Sequence, residues 1–136
     1  MEDLLNRESV QRVVKVLNNF DDSLRVEVLN SSARTAKDAA ISLNCEVGAI
    51  VKSLLLRTED NFILCLVSGD KRCSLNKVKK TLNIKDVSMA DAEQVKSQTG
   101  FSIGGVSPIA HLNKKKNINR HFVVPLRTCV CSSWAS

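Results

Sequence analysis

Residues 47–68, VGAIVKSLLLRTEDNFILCLVS, contain two apolar runs separated by a polar turn, and this stretch decides the fold. The first run, 47–58, is almost continuously apolar and β-branched at its start, which is typical of a strand covered on both faces. The second run, 61–68, has the same character and follows the polar turn EDN. Two such runs so close in sequence predict an antiparallel hairpin in the middle of the protein.

Helical patterns lie on both sides of the hairpin. In residues 3–19 the apolar residues recur at the spacing of one helical face, at Val10, Val13, Val14 and Leu17. Shorter helices are predicted at 35–43 after Ser31 and Ser32, at 75–82 with Ser74 as cap, and at 89–99 with Ser88 as cap and Gly100 just past the end. LRVEVL (24–29) and FSI (101–103) are predicted as further short strands. These elements indicate a mixed α+β protein, which we expect to be one domain over residues 1–136.

Size and composition limit the class of protein. At 136 residues and 43% hydrophobic composition, the chain is in the range of a single domain with one core. It contains no run near the roughly 20 apolar residues that span a bilayer, and its N-terminus opens with acidic residues. Its five cysteines are odd in number, which favours reduced thiols over a disulfide framework. We therefore expect a soluble, cytoplasmic protein that does not bind a membrane.

The net charge of +6 is unevenly distributed along the chain. Residues 1–68 carry 8 Lys and Arg against 10 Asp and Glu, whereas residues 69–136 carry 12 against 4. The basic half either keeps the protein solvated or attracts phosphate groups of a partner. The candidates for phosphate contacts are Lys71, Arg72, Lys77, Lys79, Lys80, Lys114, Lys115 and Lys116. Aromatic residues make up only 4%, with no Tyr, which argues against a base-stacking platform.

A lysine interrupts the middle of the first apolar run. In an extended strand Lys52 shares one face with Ile50, Leu54 and Leu56, all of them apolar. Because burial of an unpaired ammonium is costly, the lysine must extend to solvent, pair with an acid or line a cleft. The first two are structural roles, and the third makes Lys52 a candidate site residue.

A second unusual stretch is TGFSIGGVSPIAH, residues 99–111, which holds three of the five glycines and one of the two prolines. The adjacent Gly104 and Gly105 let the main chain approach a ligand closely and present N–H groups to it, while Pro108 restricts the loop. Such a loop can hold an anion or an oxyanion. A Gly-Gly turn that simply joins two strands is the structural alternative.

Four ordered blocks together resemble the YbaK/prolyl-tRNA synthetase-associated domain family of aminoacyl-tRNA deacylases. They are SSARTAKDAA, GAIVKSLLLR, ILCLVSGDKRCSLNKVKKTL and VKSQTGFSIGGVSPIAH, and they lie within residues 31–112. The resemblance implies a mixed, largely antiparallel sheet curled into a partly closed barrel with helices around it. It also implies hydrolysis of the ester in a mischarged aminoacyl-tRNA that carries a small amino acid such as Ser, Thr, Ala or Cys. Aminoacyl-tRNA is the implied partner, with an aminoacyl-tRNA synthetase as a second candidate partner.

By the same resemblance, Lys52 projects into the substrate pocket, and Gly105-Val106-Ser107-Pro108 corresponds to the family's Gly-x-x-Pro motif. We expect Lys52, Gly104 and Gly105 to be catalytic, with main-chain N–H groups of the glycines facing the oxyanion and Lys52 orienting the substrate. The expected substrate-binding residues are Thr35, Phe101, Ile103, Val106, Ser107, Pro108 and His111. Water is the expected nucleophile, assisted by a ribose hydroxyl of the substrate, since no Ser-His-Asp arrangement is evident.

Other residues have weaker claims to a chemical role. Cys45 lacks an identifiable acid–base partner and is better interpreted as a small buried hydrophobe. Cys129 and Cys131 are separated by one residue, which does not match the spacing of zinc ligands, so we predict no metal and no cofactor. Thr35 also suits a helix cap, and His111 also suits a structural position in its loop.

The C-terminal segment NINRHFVVPLRTCVCSSWAS, residues 117–136, departs from the family pattern. It lacks the acidic residue and the Ala- and Gly-rich segment that members usually have here. It indicates a C-terminal part that is trimmed or has diverged, and it gives no role to His121. A non-catalytic relative that binds tRNA or a synthetase through the same surface is therefore the alternative function.

Overall fold

The computed structural model describes residues 4–29 and 33–112, together with the backbone of residues 130–131. The helices are α1 (Glu8–Phe20), α2 (Ala36–Leu43), α3 (Leu75–Leu82) and α4 (Ala92–Thr99), and short 3-10 helices cover Leu4–Asn6 and Val47–Ala49. The strands are β1 (Ile50–Thr58), β2 (Phe62–Ser68), β3 (Val87–Met89) and β4 (Val130–Cys131). The predicted α+β class is confirmed. None of the described helices has the length and apolar character needed to cross a membrane.

β1 is the central strand of the sheet. It pairs antiparallel with β2 along almost its whole length, so the predicted hairpin is confirmed. Where the chain turns between the two strands, Thr58 N–H donates to the Asn61 carbonyl at 2.8 Å. The other edge of β1 pairs antiparallel with β3 at the end of β1 and in parallel with β4 at its start.

The sheet is not closed into a barrel within the described residues, so this part of the implied fold is wrong. Closure requires enough strands, with matched tilt and stagger, to bring the last strand back to the first. Here the antiparallel path ends at β2 on one side and at the three-residue β3 on the other. Residues 24–29 and 101–103, both predicted as strands, pair with no strand and do not extend it.

The segment LRVEVL (24–29) is partly buried at two positions and does not join the sheet. Val26 packs against the apolar cluster beneath α1 and Leu29 packs against the cluster around α2, whereas Leu24 and Val28 are exposed. In a strand with one buried side, Leu24, Val26 and Val28 would be covered together, but of these three only Val26 is partly buried. The alternation therefore predicted neither the burial pattern nor the pairing of this segment.

Both faces of β1 are covered, as its continuous apolar run predicts. The face that carries Leu55 packs against α1, α4 and the segment that follows α4. The face that carries Leu56 packs against α3, and Ile50 at the start of the same face packs against α2. Since successive residues of a strand point to opposite sides, β1 separates two helical layers.

Three predicted helix boundaries are confirmed. The Ser74 hydroxyl accepts from Lys77 N–H at 3.4 Å at the start of α3, and the Thr35 hydroxyl accepts from Asp38 N–H at 3.1 Å at the start of α2. Gly100 ends α4 with a left-handed φ of 79°. In each case the residue preferred at a helix boundary lies where the apolar pattern of the helix starts or stops.

The cap predicted at Ser88 is wrong. Ser88 lies in β3, and α4 begins at Ala92 with Asp91 as its cap. The Asp91 carboxylate accepts from Gln94 N–H at 2.7 Å, and the Gln94 side chain accepts from Asp91 N–H at 3.0 Å. This reciprocal pair is a capping box, which satisfies two N–H groups at the start of the helix.

Replacing Asp91 should therefore lower the free energy of unfolding more than replacing Ser88. Asp91→Ala should lower the free energy of unfolding by about 1 kcal/mol, because it leaves an N–H group of the first turn without an acceptor. Ser88→Ala should cost less than about 0.5 kcal/mol, because the hydroxyl meets only Arg57, at 3.5 Å on the surface. Urea denaturation of both variants measures the difference, and a larger loss in the Ser88 variant would contradict the observed cap.

Candidate functional site

The candidate site is built on residues 99–112, which follow α4. Thr99 is fully buried, and its hydroxyl donates to the Val95 carbonyl at 2.7 Å and accepts from Phe101 N–H at 3.1 Å. At the other end, Leu112 N–H donates to the Thr99 carbonyl at 3.2 Å. The two ends of the loop are therefore held together and fixed to the end of α4.

The two adjacent glycines of the loop differ in conformation. Gly105 N–H donates to the Ser102 carbonyl at 2.8 Å, and Gly104 has a left-handed φ of 80°. A positive φ at the third position of a four-residue turn is type II geometry, which favours glycine. Gly104 is exposed, and a β-carbon built on it would have no atom within 4 Å. The main chain at Gly104 is therefore open to a ligand, whereas the N–H of Gly105 is already used inside the loop.

Beyond the turn, the loop folds back on itself. Ser107 is buried, its hydroxyl accepts from Ile109 N–H at 3.2 Å, and its carbonyl lies 2.6 Å from Nε2 of His111. Because a carbonyl oxygen only accepts, Nε2 of His111 carries the proton. These contacts hold the chain on both sides of the half-buried Pro108.

Helix α1 supports the loop through Arg12. The Arg12 guanidinium lies 4.9 Å from the centre of the Phe101 ring, and its Nε donates to the Ala110 carbonyl at 3.4 Å. The Phe101 ring also meets the His111 ring edge-on at 5.9 Å. Nothing in the sequence marks Arg12 as part of the site, because its partner Ala110 is 98 residues away along the chain.

The pKa of His111 is lowered from its ordinary value. Burial of the imidazole is the largest cause, the hydrogen bond to the Ser107 carbonyl acts in the opposite direction, and the positive charge of Arg12 lowers the pKa further. His111 is therefore neutral at pH 7.

A cavity of about 220 Å³ lies between the loop, α1 and α4. Its lining residues are Arg7, Ser9, Val10, Val13, Lys96, Gly100, Phe101, Ser102, Gly105 and Ser107. Three of the predicted site residues reach it, namely Phe101, Gly105 and Ser107. Arg7 and Lys96 give the cavity positive charge, which suits a ligand with a negative group.

Lys52 lies on the face of β1 that carries Leu56, as predicted. It is half-buried, and its Nζ donates to the main-chain carbonyl of Lys71 at 2.5 Å. The pKa of Asp70 is lowered, chiefly by the hydrogen bond from Ser68, with smaller contributions from the charges of Lys71 and Lys52. The ammonium of Lys52 therefore extends out of the apolar row to the surface, where a carbonyl accepts a hydrogen bond from it and a carboxylate lies near.

The described residues do not bring Lys52 and the glycine loop together. Phe101 and Val106 of the loop belong to the apolar cluster around Leu55, which is on the opposite face of β1 from Lys52. Lys52 also does not line the cavity beside the loop. The described structure thus has two separate polar positions, one on each side of β1.

The three apolar residues expected to line the substrate pocket are divided. Phe101 and Val106 are buried in the core, whereas Ile103 is 56% exposed. Thr35 is exposed at the start of α2, where it acts as the cap. Of the apolar three, Ile103 is the exposed one, and Phe101 borders the cavity beside the loop.

The basic residues proposed for phosphate contacts are concentrated between β2 and the end of α3. The exposed members are Lys71, Arg72, Lys77 and Lys80, and Lys79 is half-buried. Residues 114–116, the other three candidates, lie outside the described residues. The contact between Lys52 and the Lys71 carbonyl places the Lys52 ammonium at the border of this basic segment, residues 71–80.

The cysteines and histidines offer no metal site within the described ranges, where no group of three or more His, Cys, Asp and Glu side chains could hold an ion. Cys45 is half-buried and packs in the cluster around α2, which agrees with its interpretation as a small hydrophobe. His121, Cys129 and the side chain of Cys131 lie outside the described residues, as do Ser31 and Ser32.

Comparison with known proteins places this chain among tRNA-editing domains. A protein-family model described as the aminoacyl-tRNA editing domain matches residues 30–122, which include Lys52 and the glycine loop. The proline–tRNA ligase of Thermosipho africanus is 34% identical over 83 residues, which are 61% of this chain and 15% of that protein. The proline–tRNA ligase of Kosmotoga olearia is 34% identical over 97 residues, or 71% of this chain and 17% of that protein. The chain therefore spans less than a fifth of the length of these relatives.

A solved structure is similar over a larger share of both chains. It is the crystal structure of a protein proposed to be a trans-editing enzyme for prolyl-tRNA synthetase, with a TM-score of 0.73 and 40% identity. The match covers 79% of this chain and 68% of that chain. The arrangement of helices around the small sheet is therefore that of an editing domain.

Protonation of His111 should make the stability depend on pH. Because the folded pKa is lowered, the stabilisation is present above the ordinary value of 6.5 and is lost as the pH falls toward the folded pKa. The free energy of unfolding should therefore decrease between pH 7 and about pH 5.5, a window above the range in which ordinary carboxylates titrate. Urea denaturation across this window measures the slope.

His111→Gln should flatten that slope, because it removes the group that binds the extra proton in the unfolded chain. The matched control is His121→Gln, which replaces the protein's other histidine. A slope that disappears in the control and persists in the His111 variant would overturn the assignment.

Proposed function

Because the chain belongs to the aminoacyl-tRNA editing domain family, we propose that it hydrolyses the ester bond of mischarged aminoacyl-tRNA that carries a small amino acid. The observation that carries the proposal is the family match over residues 30–122, because it covers both the strand with Lys52 and the glycine loop. The similarity to proline–tRNA ligases favours tRNA for proline as the carrier.

The loop suits stabilisation of an oxyanion at Gly104. When water attacks the ester carbonyl, negative charge moves to the carbonyl oxygen, and a main-chain N–H aimed at that oxygen is worth about 3–4 kcal/mol. The open space around Gly104 leaves room for an ester beside the main chain. Gly105 has a different role in this proposal, because its N–H closes the turn that fixes the orientation of Gly104.

Activation of the water is assigned to the substrate. The protonated Nε2 of His111 is held by the Ser107 carbonyl, so His111 supports the loop. The ribose hydroxyl next to the ester is close to the reacting carbonyl in any aminoacyl-tRNA, and it assists the attacking water. The products are the free amino acid and the tRNA with both terminal ribose hydroxyls restored.

Lys52 is assigned to the part of the substrate that does not react. Its ammonium is at the surface beside Lys71, across β1 from the loop, which suits an oxygen of the ribose or phosphate at the tRNA terminus. The exposed lysines of the basic segment add positive charge on the same side. Binding energy from such remote contacts holds the ester in place at the loop.

The proposed preference for a small amino acid comes from the resemblance of residues 99–111 to family members that act on small residues. Ile103 is exposed beside Gly104 and Phe101 borders the cavity next to the loop, so these two offer apolar contacts to the side chain of the substrate, whereas Val106 is buried in the core. A site of this kind distinguishes side chains that differ by one methylene by only about 1–3 kcal/mol. We expect graded preference among substrates, with no absolute choice.

A non-catalytic relative that binds tRNA or a synthetase is the second candidate. The separation of Lys52 from the glycine loop favours it, since the ammonium is already engaged by the Lys71 carbonyl. In that case the basic segment binds the partner, and the loop only closes the end of α4.

A single-turnover deacylation assay separates the two functions. Excess protein is mixed with tRNA for proline charged with Ala, Ser, Thr or Cys, and with the same tRNA charged with Phe or Tyr, and release of the amino acid is followed. We expect the small amino acids to be released faster than both the aromatic ones and the buffer control. Binding of the tRNA without release would support the second candidate, and faster release of Phe or Tyr would contradict the proposed specificity.

Lys52→Ala should impair deacylation without unfolding the protein. We expect single-turnover release to fall at least tenfold, or about 1.4 kcal/mol of transition-state stabilisation. The free energy of unfolding should change by no more than about 1 kcal/mol, because one hydrogen bond to a surface carbonyl is lost. Lys52→Arg should restore little activity, because a planar fork does not replace a compact ammonium.

The matched control for Lys52 is Lys15→Ala, which removes an exposed lysine from α1. It should retain parental activity and stability. Unaltered turnover in Lys52→Ala, combined with a lowered melting temperature, would mean that Lys52 is a scaffold lysine.

The basic segment should bind tRNA through phosphate contacts that depend on salt. Each lost contact should reduce the slope of log affinity against log salt concentration by about 0.7–0.9, so Lys77→Ala with Lys80→Ala should flatten it measurably. Filter binding between low and moderate salt gives the slopes. Lys15→Ala with Lys85→Ala is the control of equal charge, and equal slopes in both double variants would contradict the assigned surface.

A further inference from the structure

Two of the described cysteines lie next to each other. Cys65 is in β2, and Cys73 is in the link between β2 and α3, directly before the cap of α3. Their sulfur atoms are 3.6 Å apart, and both thiols are free. The proposed deacylation uses neither of them.

The two thiols differ in access. Both contact the apolar cluster on the Leu56 face of β1, where Cys65 is 3% exposed and Cys73 is half-buried. A dissolved reagent therefore reaches Cys73 before Cys65. The third described cysteine, Cys45, packs in a different cluster, beside Ile50.

We infer that Cys65 and Cys73 form a reversible disulfide by exchange with a small-molecule disulfide such as oxidised glutathione. The bond requires the sulfur atoms to approach from 3.6 Å to about 2.05 Å. Cys73 lies outside the helices and strands, so its segment can supply this movement while Cys65 stays paired to Leu54 of β1. The disulfide would close a ring of residues 65–73. This ring is largely preformed, because Lys71 N–H donates to the Ser68 carbonyl at 3.0 Å in the turn between the two cysteines.

The exchange takes two steps and consumes one glutathione disulfide. Cys73 loses its proton to solvent, and its thiolate bonds to one sulfur of glutathione disulfide and expels a glutathione thiolate, which takes up a proton. Cys65 then loses its proton and attacks the Cys73 sulfur, expelling a second glutathione thiolate, which is protonated in turn. Two protein thiols are oxidised to one disulfide, and glutathione disulfide is reduced to two thiols.

The surroundings of Cys65 set this order of attack. Burial is the main cause that raises the pKa of Cys65 to about 12, and the hydrogen bond and charge of Cys73 act in the same direction. At neutral pH Cys65 is therefore protonated and is a poor nucleophile toward dissolved reagents. Its attack becomes favourable once glutathione is attached to the adjacent Cys73, since the reaction is then intramolecular.

The disulfide would act on the surface beside Lys52. The ring from Cys65 to Cys73 contains Lys71, whose carbonyl accepts from the Lys52 ammonium. Closing the ring restricts this segment and thereby the position of that carbonyl. The oxidation state of the two cysteines is thus coupled to the position of the carbonyl that binds the Lys52 ammonium.

Peptide mapping of the full chain tests the disulfide directly, whatever its enzymatic activity. The protein is incubated with oxidised glutathione at pH 7.5, remaining thiols are blocked with N-ethylmaleimide, and trypsin is added. Trypsin cleaves after Lys71 and Arg72, so Cys65 and Cys73 fall on separate peptides, residues 58–71 and 73–77. We expect these two peptides as a linked species about 2 Da lighter than their sum, which dithiothreitol separates.

Single-cysteine variants test the order of the two steps. In Cys65→Ser the reaction should stop with glutathione attached to Cys73, and in Cys73→Ser the thiol at position 65 should stay free. Recovery of the parent with glutathione on Cys73 and no link, or with Cys73 linked to residues 128–136, would overturn the pairing. Modification of Cys65 in Cys73→Ser at the parental rate would overturn the mechanism.

Discussion

Burial of β1 on both faces is the constraint on which the rest of the structure depends. A strand in this position needs hydrogen-bonding partners on both edges and apolar cover on both faces, because unpaired main-chain groups are costly in a core. β2 fills one edge along almost the whole strand, and β3 and β4 share the other. Helices α1 and α4 cover one face, and α2 and α3 cover the other. The positions of the strands and of the four α-helices follow from what this strand requires.

The same constraint determines the position of Lys52. Alternation along β1 puts its side chain on the face of α3, whereas the glycine loop packs with Leu55 on the face of α1 and α4. Because an ammonium is costly inside an apolar row, it extends along the row until it reaches the Lys71 carbonyl at the surface. Lys52 therefore borders the basic segment, and any single ligand that contacts both Lys52 and the loop must pass around the strand.

Local patterns predicted the elements whose signals are complete within a few residues. The hairpin, α2 with Thr35 and α3 with Ser74 each combine an apolar run with an adjacent turn or cap. The predicted start of α4 was wrong because the preceding strand, β3, was not recognised. β3 has only three residues, too few to show a periodic pattern, and it forms by pairing with the available edge of β1. The strand predicted at 24–29 is wrong for a different reason, since an alternating sequence carries no information on whether an edge is free to pair. The partly closed barrel was implied by the family resemblance, and the described strands do not close it.

In the candidate site, too, some features depend on neighbouring residues and could be predicted, whereas others depend on residues far away in the sequence and could not. A glycine pair was predictable as a turn, but its sequence does not distinguish Gly104, with the left-handed φ, from Gly105, with the N–H that closes the turn. The support from Arg12 was not predictable, since it depends on the packing of α1 against a loop at the other end of the described chain. Helix α1 also lies outside residues 30–122, the part that matches the editing-domain model. The loop therefore takes its motif from the matched region and part of its rigidity from a helix that precedes that region, so the match to the family model alone underestimates how much of the chain holds the site in place.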